Sequence, residues 1–103
     1  MYKLNYYVPV EAKEETKNAL FSIGAGKFNN YDNCCFEILG QGQFQPLKDA
    51  NPYIGTKDEI TSLQEYKIEM ICSDKLIKKA VEVLKEVHPY EEVAYEVIKL
   101  EDF

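Results

Sequence analysis

The sequence predicts an α+β fold: a four-stranded antiparallel sheet with two helices packed on one face. Three observations carry that expectation. Apolar residues alternate with polar ones in the first and third strands and fall on both faces of the last, over 2–9, 65–72 and 93–100. They recur at helical spacing over 11–23 and 76–87. The order strand-helix-strand occurs twice, and no helix joins the second strand to the third. Two right-handed units connected in this way interleave into the split-βαβ, ferredoxin-like arrangement. At 103 residues the chain is expected to form a single domain over 1–103.

In the first strand Tyr2, Leu4, Tyr6 and Val8 point one way and Lys3, Asn5 and Tyr7 the other, with Pro9 as its end. The first helix gathers Ala12, Thr16, Ala19, Leu20 and Ile23 on one face. Gly24 then stands where a helix takes a left-handed C-terminal residue. After the turn-rich 29–33, a second strand is expected over 34–39, followed by an irregular connection over 40–62. The third strand turns Tyr66, Ile68, Met70 and Cys72 to the core. Ser73 and Asp74 are expected to cap the second helix, whose apolar face is Leu76, Ile77, Ala80, Val81, Leu84 and Val87. Pro89 disfavours helical geometry at His88 and should stop that helix.

Two helices cover only one face of such a sheet, yet apolar residues fall on both faces. Ala94, Ile98 and Leu100 oppose Val93, Tyr95 and Val97, and Tyr7 and Ile71 also point away from the helices. Strands apolar on both sides imply cover on both sides, so a homo-oligomer is expected, with Ile98 and Leu100 at or near its interface.

The charge balance narrows the partners. The formal charge is −6 and all 12 basic residues are lysine, so nucleic acid is repelled and the bidentate fork of arginine is missing. No apolar run reaches the roughly 18 residues a membrane span needs. The first seven residues alternate in polarity and lack a signal-peptide core, which places the chain in the cytoplasm. Three cysteines, two of them adjacent, read as reduced thiols.

Two stretches attract a binding role. The first runs from Gly40-Gln41-Gly42-Gln43-Phe44-Gln45-Pro46 to Asn51-Pro52-Tyr53-Ile54-Gly55, a connection far longer than a hairpin needs. Gly40 and Gly42 are expected to hold special backbone shapes or close approaches, and Phe44 to be largely buried. The Gly-Lys-Ser/Thr ending of a phosphate loop is absent. The second is His88-Pro89-Tyr90-Glu91-Glu92, with the only histidine. There His88 and Glu91 are candidate ligands for a divalent metal, against the simpler role of a structural turn. The ring is expected to face the sheet edge near Glu91, Glu92 or Glu69, and so to titrate at or above about pH 6.5. No nucleophile is paired with a base by any local signature, and nothing demands an enzyme.

These stretches, with Gly24-Ala25-Gly26, Tyr31, Cys34 and Glu65-Tyr66-Lys67-Ile68-Glu69, follow one another in an order that closely resembles the YqfO family, bacterial relatives of the NGG-interacting factor proteins. The likeness is to the PII/CutA-like domain inserted in those longer proteins and covers almost the full chain. Asn29 stands where relatives often have Gly, and Cys35 where a small Ser is common. The resemblance implies a ferredoxin-like fold, trimeric assembly and a ligand site between subunits, with a small anion, a nucleotide or a metal as ligand. It also suggests a CutA-like divalent-metal-binding role as an alternative. The metal pair of the long members is held by flanking segments outside this sequence, so their hydrolase and GTP cyclohydrolase labels are not expected to transfer. The ligand site is expected to use Gly40, Gly42, Gln43, Phe44, Pro46, Pro52, Gly55, His88, Tyr90 and Glu91.

Overall fold

The structure, a computed structural model, describes residues 1–103. Its elements are β1 (Tyr2–Pro9), a 3-10 turn (Val10–Ala12), α1 (Lys13–Ser22), β2 (Phe36–Phe44), β3 (Thr61–Cys72), α2 (Ile77–Val87) and β4 (Tyr95–Lys99). The sheet order is β2-β3-β1-β4 with every neighbouring pair antiparallel. This is the split-βαβ arrangement that the sequence predicts.

Alternation in β1 places Leu4, Tyr6 and Val8 in the core, where they meet Ile68, Met70 and Cys72 of β3. From the helices, Thr16 and Leu20 of α1 and Ala80, Val83 and Leu84 of α2 close over the same face. The Tyr6 hydroxyl, buried there, donates to Thr16 Oγ1 at 2.9 Å, because the Thr16 hydroxyl proton is committed to the Lys13 carbonyl. Burial raises the pKa of Tyr6 well above the phenol range, so this bond stays neutral.

Helix α1 ends as its glycine predicts. Gly24 adopts φ +101°, its N–H bonds the Phe21 carbonyl, and the Ala25 N–H reaches back to Leu20. That pair of bonds is the Schellman closure. Asn29 takes φ 51°, so the turn survives without glycine. Helix α2 stops at His88, whose ψ of 137° is the extended geometry Pro89 imposes.

Three expectations are corrected. Strand β2 begins two residues later than predicted and continues through Phe44, while β3 begins at Thr61, so much of the supposed irregular connection is a paired β arm. The capping side chains of Ser73 and Asp74 are not used: Ser73 accepts the Leu76 and Ile77 N–H groups through its carbonyl, and Asp74 pairs with the N-terminal ammonium. The sheet face away from the helices is also more polar than the sequence suggests. At its centre Glu69 bridges Lys3 and Lys67 at 2.6 and 3.2 Å, and Tyr7 donates to Glu96. Apolar residues remain at its flanks, with Phe36 64% and Ile38 45% exposed on β2 and Ile98 46% exposed on β4. At the end of the sheet where β1 begins, the Leu100 N–H bonds the Met1 carbonyl at 3.0 Å.

Candidate functional site

At the opposite end of the sheet, residues 45–60 fold back from the β2–β3 arm and meet the turn at 88–92. The meeting point is Tyr90. Its ring lies 6.3 Å from that of Phe44 and 6.2 Å from that of Tyr53, both tilted against it. Its hydroxyl donates to Glu65 Oε2 at 2.8 Å. Burial and the adjacent carboxylate push its pKa above the ordinary phenol value, so Tyr90 remains a donor. Next to it, Glu91 Oε2 accepts the Asn51 N–H at 2.6 Å and pins the returning loop.

Between these segments lies a cleft of about 880 Å³. Gln43, Phe44, Pro46 and Pro52 line one side, Tyr90 and Glu91 the other, and Tyr7 and Glu65 reach it from the open sheet face. Its charged lining is four carboxylates (Asp49, Glu65, Glu91 and Glu92) against the single ammonium of Lys48. That balance works against the small anion which the resemblance implies.

The predicted glycines divide. Gly42 lines the cleft, and a β-carbon there would collide with the Glu65 carboxylate, so the close approach expected of it is present. Gly40 does not line the cleft; a β-carbon on it would meet nothing nearer than the Glu65 carbonyl at 4.0 Å. Neither has positive φ, because both sit in a paired strand. Gly55 does, at φ +105°, and a β-carbon there would fall 2.8 Å from Thr61 Oγ1 and 3.2 Å from the Phe44 ring. It shapes the loop from behind. Phe44 is half-buried rather than largely buried, since the cleft opens beside it.

His88 departs furthest from expectation. The ring does not face Glu91, Glu92 or Glu69. It turns inward, 5% exposed, with Nε2 2.7 Å from the Tyr7 carbonyl and Nδ1 accepting the Tyr90 N–H at 3.1 Å. A carbonyl can only accept and an N–H only donate, so the ring is neutral with its proton on Nε2. Burial lowers its pKa below the ordinary imidazole value, the reverse of the predicted shift. In this arrangement both ring nitrogens of His88 are hydrogen-bonded and Glu91 holds Asn51. No group of three or more His, Cys, Asp and Glu side chains is placed to hold a metal ion. Sequence reasoning missed Tyr7 and Glu65, whereas Tyr53 stood within the long connection already marked for binding. Glu65 shows as a solvated strand charge in the sequence, and only the long-range register reveals it beneath Tyr90.

No protein-family model matches the chain. Curated relatives do. The chain is 43% identical over 100 residues to a GTP cyclohydrolase 1 type 2 homolog of Listeria innocua, covering 96% of the chain and 27% of that protein. A Bacillus subtilis protein of the same name is 37% identical over 99 residues, covering 96% and 26%. The chain therefore spans about a quarter of the length of these relatives. Among solved structures, a Bacillus cereus protein related to NIF3 superposes with a TM-score of 0.84 at 35% identity, over 98% of this chain and 26% of that one. CutA1 from Pyrococcus horikoshii superposes with a TM-score of 0.73 at 17% identity, over 100% of this chain and 86% of that one, a likeness of fold. Over nearly its full length the chain is therefore similar to one segment of these longer NIF3-related proteins, and it shares the fold of CutA.

Proposed function

We propose that this chain is a homo-oligomeric module that binds a small ligand and has a regulatory role, with no catalytic step of its own. The observation that carries the reading is the convergence on Tyr90 of two segments forty residues apart in sequence, which walls a cleft of ligand size. Assembly is supported by the exposed Phe36, Ile38 and Ile98 on the face opposite the helices. Tyr7, Gly42 and Glu65 belong to that same face, so packing it against a second copy would bring the cleft to a subunit boundary. A trimer is the assembly we favour, and its three unpaired cysteines suit a reducing cytoplasm. The cyclohydrolase named for the relatives belongs to proteins about four times as long, and it is not transferred here.

The reading is tested by amide-resolved NMR with a set of neutral aromatic fragments, alongside light scattering. Shifts clustered at Gln43, Gln45 and Tyr90, in a protein of multimeric mass, are the expected result. Fragments that leave those amides unmoved would remove the ligand cleft from the proposal, and a monomer mass would remove the assembly.

A further inference from the structure

The lining of the cleft specifies more than that something binds. Tyr7, Phe44, Tyr53 and Tyr90 present aromatic surface to it, and ring faces attract cations through their quadrupole. Two of its four carboxylates have other partners: Glu65 takes the Tyr90 proton and Glu91 the Asn51 N–H. No side-chain hydrogen bond or ion pair engages Asp49 or Glu92, so these two carboxylates stand at the cleft without such a partner. The walls also carry Gln41, Gln43 and Gln45, whose amides can orient a polar group without adding charge. The volume of about 880 Å³ lies within the range of small-molecule sites, roughly 300–1,000 Å³.

Resting on the reading of this cleft as a ligand site, we infer that its ligand is a small organic cation, a protonated amine carried on an apolar or aromatic body. The amine sits against the ring faces and the free carboxylates, and its body fills the space beside Phe44, Pro46 and Pro52. This chemistry excludes the anionic ligand and needs no metal.

The test uses three probes of one shape and different charge, namely benzylamine, benzyl alcohol and benzoate, titrated into the full chain by amide-resolved NMR. Benzylamine is expected to bind at Gln43, Gln45 and Tyr90 about three- to tenfold more tightly than benzyl alcohol, the range given by one exposed cation–π contact with one surface ion pair. Benzoate should bind most weakly, and added salt should narrow the gap. Glu92→Gln should weaken benzylamine and leave benzyl alcohol unchanged. Equal or tighter binding of benzyl alcohol or benzoate at the same amides overturns the cation and keeps the cleft as a ligand site. Silence of those amides to all three overturns both. Displacement of benzylamine by zinc ions alone would assign the cleft to a metal.

Discussion

His88 Nε2 lies 2.7 Å from the carbonyl oxygen of Tyr7, so the residue that ends α2 also hydrogen-bonds the backbone of β1. Its other nitrogen receives the Tyr90 N–H, which fixes the first residue of the cleft wall to the core. The neutral ring is therefore part of how the site is held.

One consequence is a dependence of stability on pH. The folded-state pKa of His88 is lowered by burial, while the unfolded chain titrates near about 6.5. Above that value both states are neutral and His88 contributes no pH dependence. As pH falls below it, the unfolded state takes up the proton first, so folding stability decreases. The lowered carboxyl pKa values of Glu37 and Glu69, held down by their lysine partners, remove stability only at more acid pH. Melting temperatures should thus fall between about pH 6.5 and 5, and His88→Asn should flatten that slope. An imidazole resonance titrating at or above about pH 6.5 would refute the neutral assignment.

The Tyr90–Glu65 bond and the Gly42 close approach should prove coupled. Tyr90→Phe removes a hydrogen bond to a charged acceptor, with an expected cost of about 1–2 kcal/mol at this half-buried position. Gly42→Ala forces the Glu65 carboxylate aside and should cost about 1 kcal/mol, since the displaced atoms are the end of a flexible side chain. The double variant should cost less than the sum, because both changes break the same contact. Gly40→Ala is the control and should be neutral or slightly stabilising. Strict additivity in urea denaturation would show that the two positions do not share Glu65.

Phe44→Ala should destabilise by about 2 kcal/mol, below the 3–5 kcal/mol usual for a fully buried Phe. The same variant should expose residues 45–60 to proteolysis, because Phe44 packs against Tyr90 and behind it Gly55. A loop as resistant as that of the unaltered protein would mean the Asn51–Glu91 bond alone retains it.

Gly24→Ala should cost about 1–2 kcal/mol, for two reasons. Its φ of +101° strains any residue with a β-carbon, and that carbon would come 2.9 Å from Leu76, just before α2. Thermal melts of the variant measure the sum directly.

Assembly makes the fifth site of intervention. Ile98→Lys places a charge on the open face beside Lys3, its partner across the β1–β4 ladder. If that face is buried between subunits, association should weaken by about 3–5 kcal/mol and the mass by light scattering should fall. An unchanged multimer would move the interface elsewhere.

The parts of this fold that were legible in sequence are those governed by local rules. Strand β1 alternates, Gly24 closes α1, and Pro89 ends α2 at His88. The β arm was not legible, because Gly40-Gln41-Gly42-Gln43 has neither apolar alternation nor strand propensity and extends where no helix covers it. Its pairing comes from β3 instead. Asp74 found the chain's own N-terminus, and His88 found a carbonyl 81 residues away; neither partner is marked by spacing. Of the candidate site, Phe44, Pro46, Pro52, Tyr90 and Glu91 were named in advance by residue type and loop length, whereas the placement of Glu65 under Tyr90 depends on register.

The hydrogen bond from Leu100 to the Met1 carbonyl has an architectural consequence. Entry and exit of this stretch of chain lie side by side, on neighbouring strands roughly 4.8 Å apart. A unit of that geometry can interrupt a surface loop of a host protein without prising the two halves of the host apart. In the relatives the matching stretch is about a quarter of the length. That pair of residues is at one end of the sheet and the cleft at the other, so anything joined there would leave the cleft open.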